Sequence, residues 1–286
     1  CPPGSRRRTR AAQPALAMHR PLQLLLGFLF GILLGLLPGL AHAQTGDASW
    51  CTVQEHWEGD RAHAYAVHSY DLDARDEVTV DGGQNGGIQV EAWDGRGIQL
   101  CALVQAEADS RSAAERLAEG VEIEQGAVIR ARVPRTRGDE SVSVSFRLRV
   151  PRTTDLDLTA HNGGLGVEGV RGRIELATTN GGIALDRVGG DVRGETVNGG
   201  VRVTLAGRTW DGAGLDVETT NGGVHLVVPE DYSARLEAST VNGRFHLGFP
   251  VALQGELGHE LATTLGRGGP RVRVTTTNGG VHVARD

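Results

Sequence analysis

The sequence predicts an all-β chain: a parallel β-helix, or solenoid, closed by stacked Asn-Gly corner ladders, with one short capping helix in its N-terminal half. Three observations carry this. Every Asn (Asn85, Asn162, Asn180, Asn198, Asn221, Asn242 and Asn278) is followed by Gly, and from Asn162 onward the steps are 18, 18, 23, 21 and 36 residues. A step near ~20 residues with one double length marks a coil of stacked repeats. The chain also has 42 Gly among 286 residues and only 4% aromatics, which suits many special backbone positions and few bulky core residues.

Residues 1–17 have no hydrophobic pattern and read as translated sequence upstream of a start at Met18. Residues 18–43 read as a secretory signal: Arg20, an apolar run from Leu22 to Leu37, a Pro38-Gly39 break and Ala41-His42-Ala43 before the cut. The alternative is a retained anchor, but the break and the small-residue site favour cleavage, leaving no stable membrane span. Five of the 29 basic residues and none of the 35 acids precede Gln44, so the exported part carries 24 Arg and a net charge of −11. That balance excludes a nucleic-acid partner, which needs a basic face. The absence of Lys excludes Schiff-base chemistry.

Residues 44–76, with Trp50, Trp57 and several His, are expected to be partly flexible. Cys51 and Cys101 have two readings. In an exported protein they form a disulfide tying the N-terminus to the body; alternatively Cys101, in GIQLCALV, is a small buried hydrophobe. Residues 77–150 read as a β-rich cap. Val78 and Val80 fall out of phase with Asn85, which predicts a bulge or different pairing. DSRSAAERLAEG predicts a helix capped by Asp109 or Ser112 and stopped at Gly120, and SVSVSFRLRV alternates as a strand before Pro151.

Residues 151–286 are the coil proper. Three residues after each Asn stand Leu165, Ile183, Val201, Val224, Phe245 and Val281; five after stand Val167, Leu185, Val203, Leu226, Leu247 and Val283. Six before stand Leu156, Ile174, Val192, Leu215, Leu236 and Val272, and two before, in the last five copies, Thr178, Thr196, Thr219, Thr240 and Thr276. Each copy is therefore strand, corner, strand. Asn-Gly alone would signal a hairpin, since both residues tolerate positive φ. Independent hairpins, however, give no reason for identical columns. Stacked turns ~4.8 Å apart do: Asn162, Asn180, Asn198, Asn221, Asn242 and Asn278 bond along the axis, and the Thr column forms a second ladder beside them. Gly supplies the backbone conformation and the absence of a side chain where the corners crowd. Calcium-binding nonapeptide coils are excluded because no Asp recurs after the second Gly. The hexapeptide coil is excluded because the apolar spacing is two, then nine.

From Val78 onward the chain resembles the bacterial putative adhesin family. The motifs are VPRTTDLDLTAHNGGLGVEGVRGRIELATTNGGIAL, VRGETVNGGVRV, LDVETTNGGVHLVVPEDYSARLEASTVNGRFHLGFPV and RVRVTTTNGGVHV. The resemblance implies a noncatalytic, envelope-associated β-solenoid and supplies no catalytic motif.

Outside the ladder two residue sets could carry chemistry. His225, His246 and His282 share one outward column, where two imidazoles on adjacent turns could lean on one Zn²⁺; no Cys or carboxylate recurs beside them, and a plain polar face is the preferred reading. If stacked, they would repel when protonated. Glu195 and Glu218, three before their Asn residues, could serve polysaccharide hydrolysis as a carboxylate pair, against the plainer reading of an acidic solvated face. The sequence implies no cofactor and no enzyme. It points to an exported, periplasmic or envelope-associated domain that meets an envelope protein or a glycan.

Overall fold

The computed structural model describes residues 50–52, 61–250 and 258–286. The predicted upstream sequence and signal segment, with Trp57, lie outside the described residues.

The N-terminal part contains β1 (Ala62–Leu72), β2 (Glu77–Asp81), β3 (Ile88–Trp93), β4 (Ile98–Ala108), the helix α1 (Arg111–Glu119), β5 (Glu122–Gln125), β6 (Val128–Arg132) and β7 (Ser141–Pro151). The coil follows with β8 (Asp155–Asn162), β9 (Leu165–Glu168), β10 (Arg171–Asn180), β11 (Ile183–Asp186), β12 (Gly189–Asn198) and β13 (Val201–Thr204). It continues through β14 (Gly214–Asn221), β15 (Val224–Val228), β16 (Ala234–Thr240), β17 (Phe245–Leu247), β18 (Glu260–Leu265), β19 (Arg271–Asn278) and β20 (Val281–Arg285). The strand before each corner lies in one sheet and the strand after it in the other. The first sheet runs β1-β4-β7-β3-β9-β11-β13-β15-β20-β17 and the second β18-β16-β19-β14-β12-β10-β8-β2-β6-β5. Both pass unbroken from the N-terminal part into the coil.

Pairing within the coil is parallel and in register, Ile174 with Val192, Val192 with Leu215, Ile183 with Val201. Each apolar column therefore stacks on itself, and the two sheets bury these columns against each other. The chain closes the coil differently from the expected sequential stack. β19 lies between β14 and β16, and β20 between β15 and β17. The turn of Asn278 is thus inserted between those of Asn221 and Asn242, and the segment before it, including the β16–β18 antiparallel pair, forms the outer end. The step of 36 residues is an excursion to that end and back, not a double-length turn.

Four further points differ from the sequence reading. Residues 62–72, placed in a partly flexible segment, form an edge strand paired along its whole length with β4. Its Ala- and His-rich sequence hides the alternation. The helix is capped by Ser110, whose Oγ accepts from the Ala113 N–H at 3.4 Å, rather than by Asp109 or Ser112. The corner glycines Gly163, Gly181, Gly199, Gly222 and Gly279 do not have positive φ. They are required by proximity: a Cβ on any of them would lie 2.0–2.1 Å from the carbonyl oxygen of the glycine in the adjacent corner. Finally, the Thr column is not a Thr-to-Thr ladder. Thr178, Thr196, Thr219, Thr276 and Thr240 are buried and donate to the Gly163, Gly181, Gly199, Gly222 and Gly279 carbonyls at 2.7–2.9 Å. An inward hydroxyl finds a corner carbonyl closer than the next hydroxyl, and so is satisfied inside the core. At the first corner Val78 and Val80 pair with Leu156 and Leu158, and Asn85 still meets Asn162. One extra residue is absorbed at Gly82-Gly83, with Gly83 at φ +66°.

The Asn side chains form one polarised chain of hydrogen bonds. Each Nδ2 donates to the preceding Oδ1, Asn162 to Asn85, then Asn180, Asn198 and Asn221 in order, then Asn278 to Asn221 and Asn242 to Asn278, at 2.8–3.0 Å.

Candidate functional site

Because the strands are in register, residues at one position of the repeat form rows across each outer face. On the second sheet one row runs Asp157, Glu175, Arg193, Asp216, Arg273, Glu237 along the axis, and its neighbour runs Thr159, Ala177, Glu195, Glu218, Thr275, Ser239. The insertion of β19 sets this order: Arg273 stands between Asp216 and Glu237, which chain order does not suggest. The two rows bound a shallow groove of about 370 Å³ lined by Asp157, Glu175, Arg193, Glu195, Glu218 and Asp216, with Arg273 at one end.

Charge in the groove is uneven. Arg273 pairs with Asp216 at 3.2 Å, and Arg271 approaches the same carboxylate at 3.7 Å. Glu195 and Glu218 face solvent side by side on β12 and β14. Asp157 has its carboxyl held above the usual range, first by desolvation and then by Glu175 and Glu77, against the opposing pull of Arg173. The groove is therefore a polar, predominantly acidic strip with fixed Arg positions. It can hydrogen-bond an extended polar or cationic partner. Two neighbouring carboxylates also supply the minimum parts for acid–base work on a glycan, but no aromatic platform lines the groove among the described residues.

The first sheet carries the His column. His282 is its middle member, with ring centroids 4.8 Å from His225 and 4.6 Å from His246. The rings are tilted to each other by 51° and 68° rather than converging. The described residues contain no cluster of three or more His, Cys, Asp or Glu arranged to hold a metal. His225 Nδ1 is buried without a hydrogen-bond partner, and Arg202 is the next residue in the row. Burial, then His282 and Arg202, push the His225 imidazole below its ordinary pKa. A histidine depressed in this way stabilises the fold above its unfolded pKa of ~6.5, and that contribution disappears as pH falls. The thermal midpoint is expected to drop on acidification from neutral pH, and His225→Gln should remove part of that dependence in melts across a pH series. An unchanged pH slope would contradict this.

At the N-terminal end of the same sheet Cys51 and Cys101 are joined by a disulfide, 50 residues apart in sequence. Cys101 points outward from β4 and is buried because residues 50–52 lie over it. Arg149 stacks on the Trp50 ring at 4.9 Å, and Arg147 Nη1 donates to the Trp50 carbonyl at 3.3 Å. No helix among the described residues is long and apolar enough to cross a membrane.

Comparison with known proteins adds the following. Solved structures similar to this chain include a putative cell adhesion protein from Clostridium sporogenes, at 9% identity and a TM-score of 0.42, covering 78% of this chain and 100% of that one. A putative adhesin from Bacteroides fragilis matches at 9% identity and 0.35, covering 77% and 97%. A putative lipid binding protein from Parabacteroides distasonis matches at 10% and 0.32, covering 77% and 96%. No curated protein matches. The family model described as Toastrack DUF4097 matches residues 73–284, which take in the strands from β2 onward, the capping helix and every Asn-Gly corner, and the chain belongs to that family.

Proposed function

We propose that this chain is an exported, noncatalytic β-solenoid that presents the acidic outer face of its second sheet to an envelope protein or glycan. One observation carries the reading: the repeated residues are consumed by the core and the ladder, and what remains in register toward solvent on the second sheet is the pair of polar rows around Glu195 and Glu218, which bound a groove. The signal-like segment 18–43 supports export. In-register rows at ~4.8 Å suit an extended partner whose own groups repeat.

The test is site-specific photocrosslinking in the cells that make the protein, with the probe at Thr159 beside the groove and, as a control, at Gln89 on the opposite sheet. A defined adduct is expected from Thr159, lost in Glu195→Arg/Glu218→Arg, which leaves the melting curve almost unchanged because both side chains are exposed. Equal adducts from both positions, or survival in the variant, would remove the reading. A second reading, polysaccharide hydrolysis, rests on the direct pairing of Glu195 with Glu218 across neighbouring strands. It requires glycan cleavage by the native chain that Glu195→Gln/Glu218→Gln abolishes.

A further inference from the structure

The ladder is a directional chain and must end. Asn162, Asn180, Asn198, Asn221 and Asn278 each donate through Nδ2 and accept through Oδ1, so both ends of the amide are held. Asn242 is the last rung: its Nδ2 donates to Asn278 at 2.8 Å, but no described residue donates to its Oδ1. The backbone narrows the set differently. The N–H groups of Gly86, Gly181, Gly199 and Gly222 donate to the Asn carbonyl of the adjacent turn, whereas no described backbone carbonyl accepts from the N–H of Gly163, Gly279 or Gly243. Of these three, Gly163 and Gly279 follow an Asn whose Oδ1 is held by the next rung, and Gly243 follows the one whose Oδ1 is not. Asn85, at the opposite end, has no acceptor for its Nδ2 among the described residues but a bound Gly86 N–H. All seven Asn are exposed, but Asn242 is followed by a three-residue strand, β17, at the end of its sheet rather than by a further stacked turn.

These facts separate one Asn-Gly pair from six others of the same local chemistry. We propose that Asn242 is a modification site, the position at which this fold undergoes spontaneous deamidation while the other corners are protected. The Gly243 backbone nitrogen attacks Asn242 Cγ, and a Cγ–N bond forms. The Cγ–Nδ2 bond breaks, and Nδ2 leaves as ammonia carrying the proton from the Gly243 amide. Water then opens the succinimide at either carbonyl to aspartate or isoaspartate. Attack requires the amide nitrogen to be free and the side chain to rotate, and Gly offers no Cβ to obstruct it. Interior rungs must first break hydrogen bonds on both sides. The product carboxylate has no N–H to offer Asn278 Oδ1, so the terminal rung is lost and β17 is loosened.

Folded protein incubated at mildly alkaline pH and followed by peptide-map mass spectrometry tests this. Asn242 should convert first, about tenfold faster than any of the five interior rungs, as expected for release of one or two hydrogen bonds. In denaturant all seven Asn-Gly sites should converge to similar rates. Conversion of Asn242 no faster than the interior rungs would overturn the proposal. So would a rate difference that persists in denaturant, because local sequence and not the ladder would then set it.

Discussion

Gly199→Ala is expected to destabilise the fold severely, whereas Gly200→Ala, one residue later, should leave stability nearly unchanged. A Cβ on Gly199 would sit 2.0 Å from the Gly181 carbonyl oxygen and 2.4 Å from its carbon, both rigid backbone atoms of the adjacent corner. Relief would require opening the stack at that turn. The same movement would break the Asn198–Asn180 bond and the contact of Thr219 with the Gly199 carbonyl. The cost should reach about 3 kcal/mol or more, a large share of the ~5–15 kcal/mol that holds a domain folded. A Cβ on Gly200 meets only the Gly223 oxygen at 3.4 Å, an ordinary contact, and Gly200 does not have positive φ. Its substitution should change stability by no more than about 1 kcal/mol, with a small entropic gain offsetting the contact. Chemical denaturation of the two variants decides it. Equal effects would mean that the glycine pair acts through backbone freedom rather than close approach.

That contrast bears on what the residues disclose. The columns were legible because in-register stacking forces each position to face its own copy: an apolar residue three after Asn221 makes the same contacts as one three after Asn198, so selection writes the same residue twice. The crowding behind the glycines was legible too, since stacked corners bring backbone against backbone; that they need no positive φ was not, because Asn-Gly serves a positive-φ hairpin as well. Nor was the order of the last turns. Asn221, Asn242 and Asn278 carry almost interchangeable flanks, and nothing in a column states which copy is adjacent. A trace existed at Asn242, which is followed by Gly-Arg and Phe245 where the interior turns have Gly-Gly and an aliphatic residue. The outer groove was half legible: the alternation of acids and Arg could be read in chain order, but the placement of Arg273 against Asp216 depends on the inserted strand. The helix cap was undecidable locally, because Asp109, Ser110 and Ser112 are all capable of capping.

Removal of residues 271–286 should release everything after β15, not just the last turn. In a sequential coil the final repeat touches one neighbour, and its loss leaves the preceding repeat in place, because stability there is a sum of nearest-neighbour terms. Here β19 joins β14 to β16 and β20 joins β15 to β17, while β17 pairs with no other described strand. Without them β16 keeps its antiparallel pairing with β18 and a single bridge from Ser233 to Thr209. An isolated two-stranded pair is marginal in water. The deletion also removes the buried side chains of Val272, Val274, Val281 and Val283. At ~1.5 kcal/mol or more each, their burial contributes about 6 kcal/mol. The truncated chain is expected to retain β1 to β15 as a protected core and to be cut readily by protease between Val228 and Pro270. If residues 234–247 stayed protected, they would have to stack directly on β14 and β15 when β19 and β20 are gone. The two turn orders would then be close in free energy, and the inserted order would owe little to its own contacts. The columns make this a real competition, since Leu236, which pairs with Val272, would offer Leu215 an aliphatic side chain in its place. What separates the two orders is the polar fit: Arg273 beside Asp216 and the double-ended bond of Asn278 exist only with β19 in the middle.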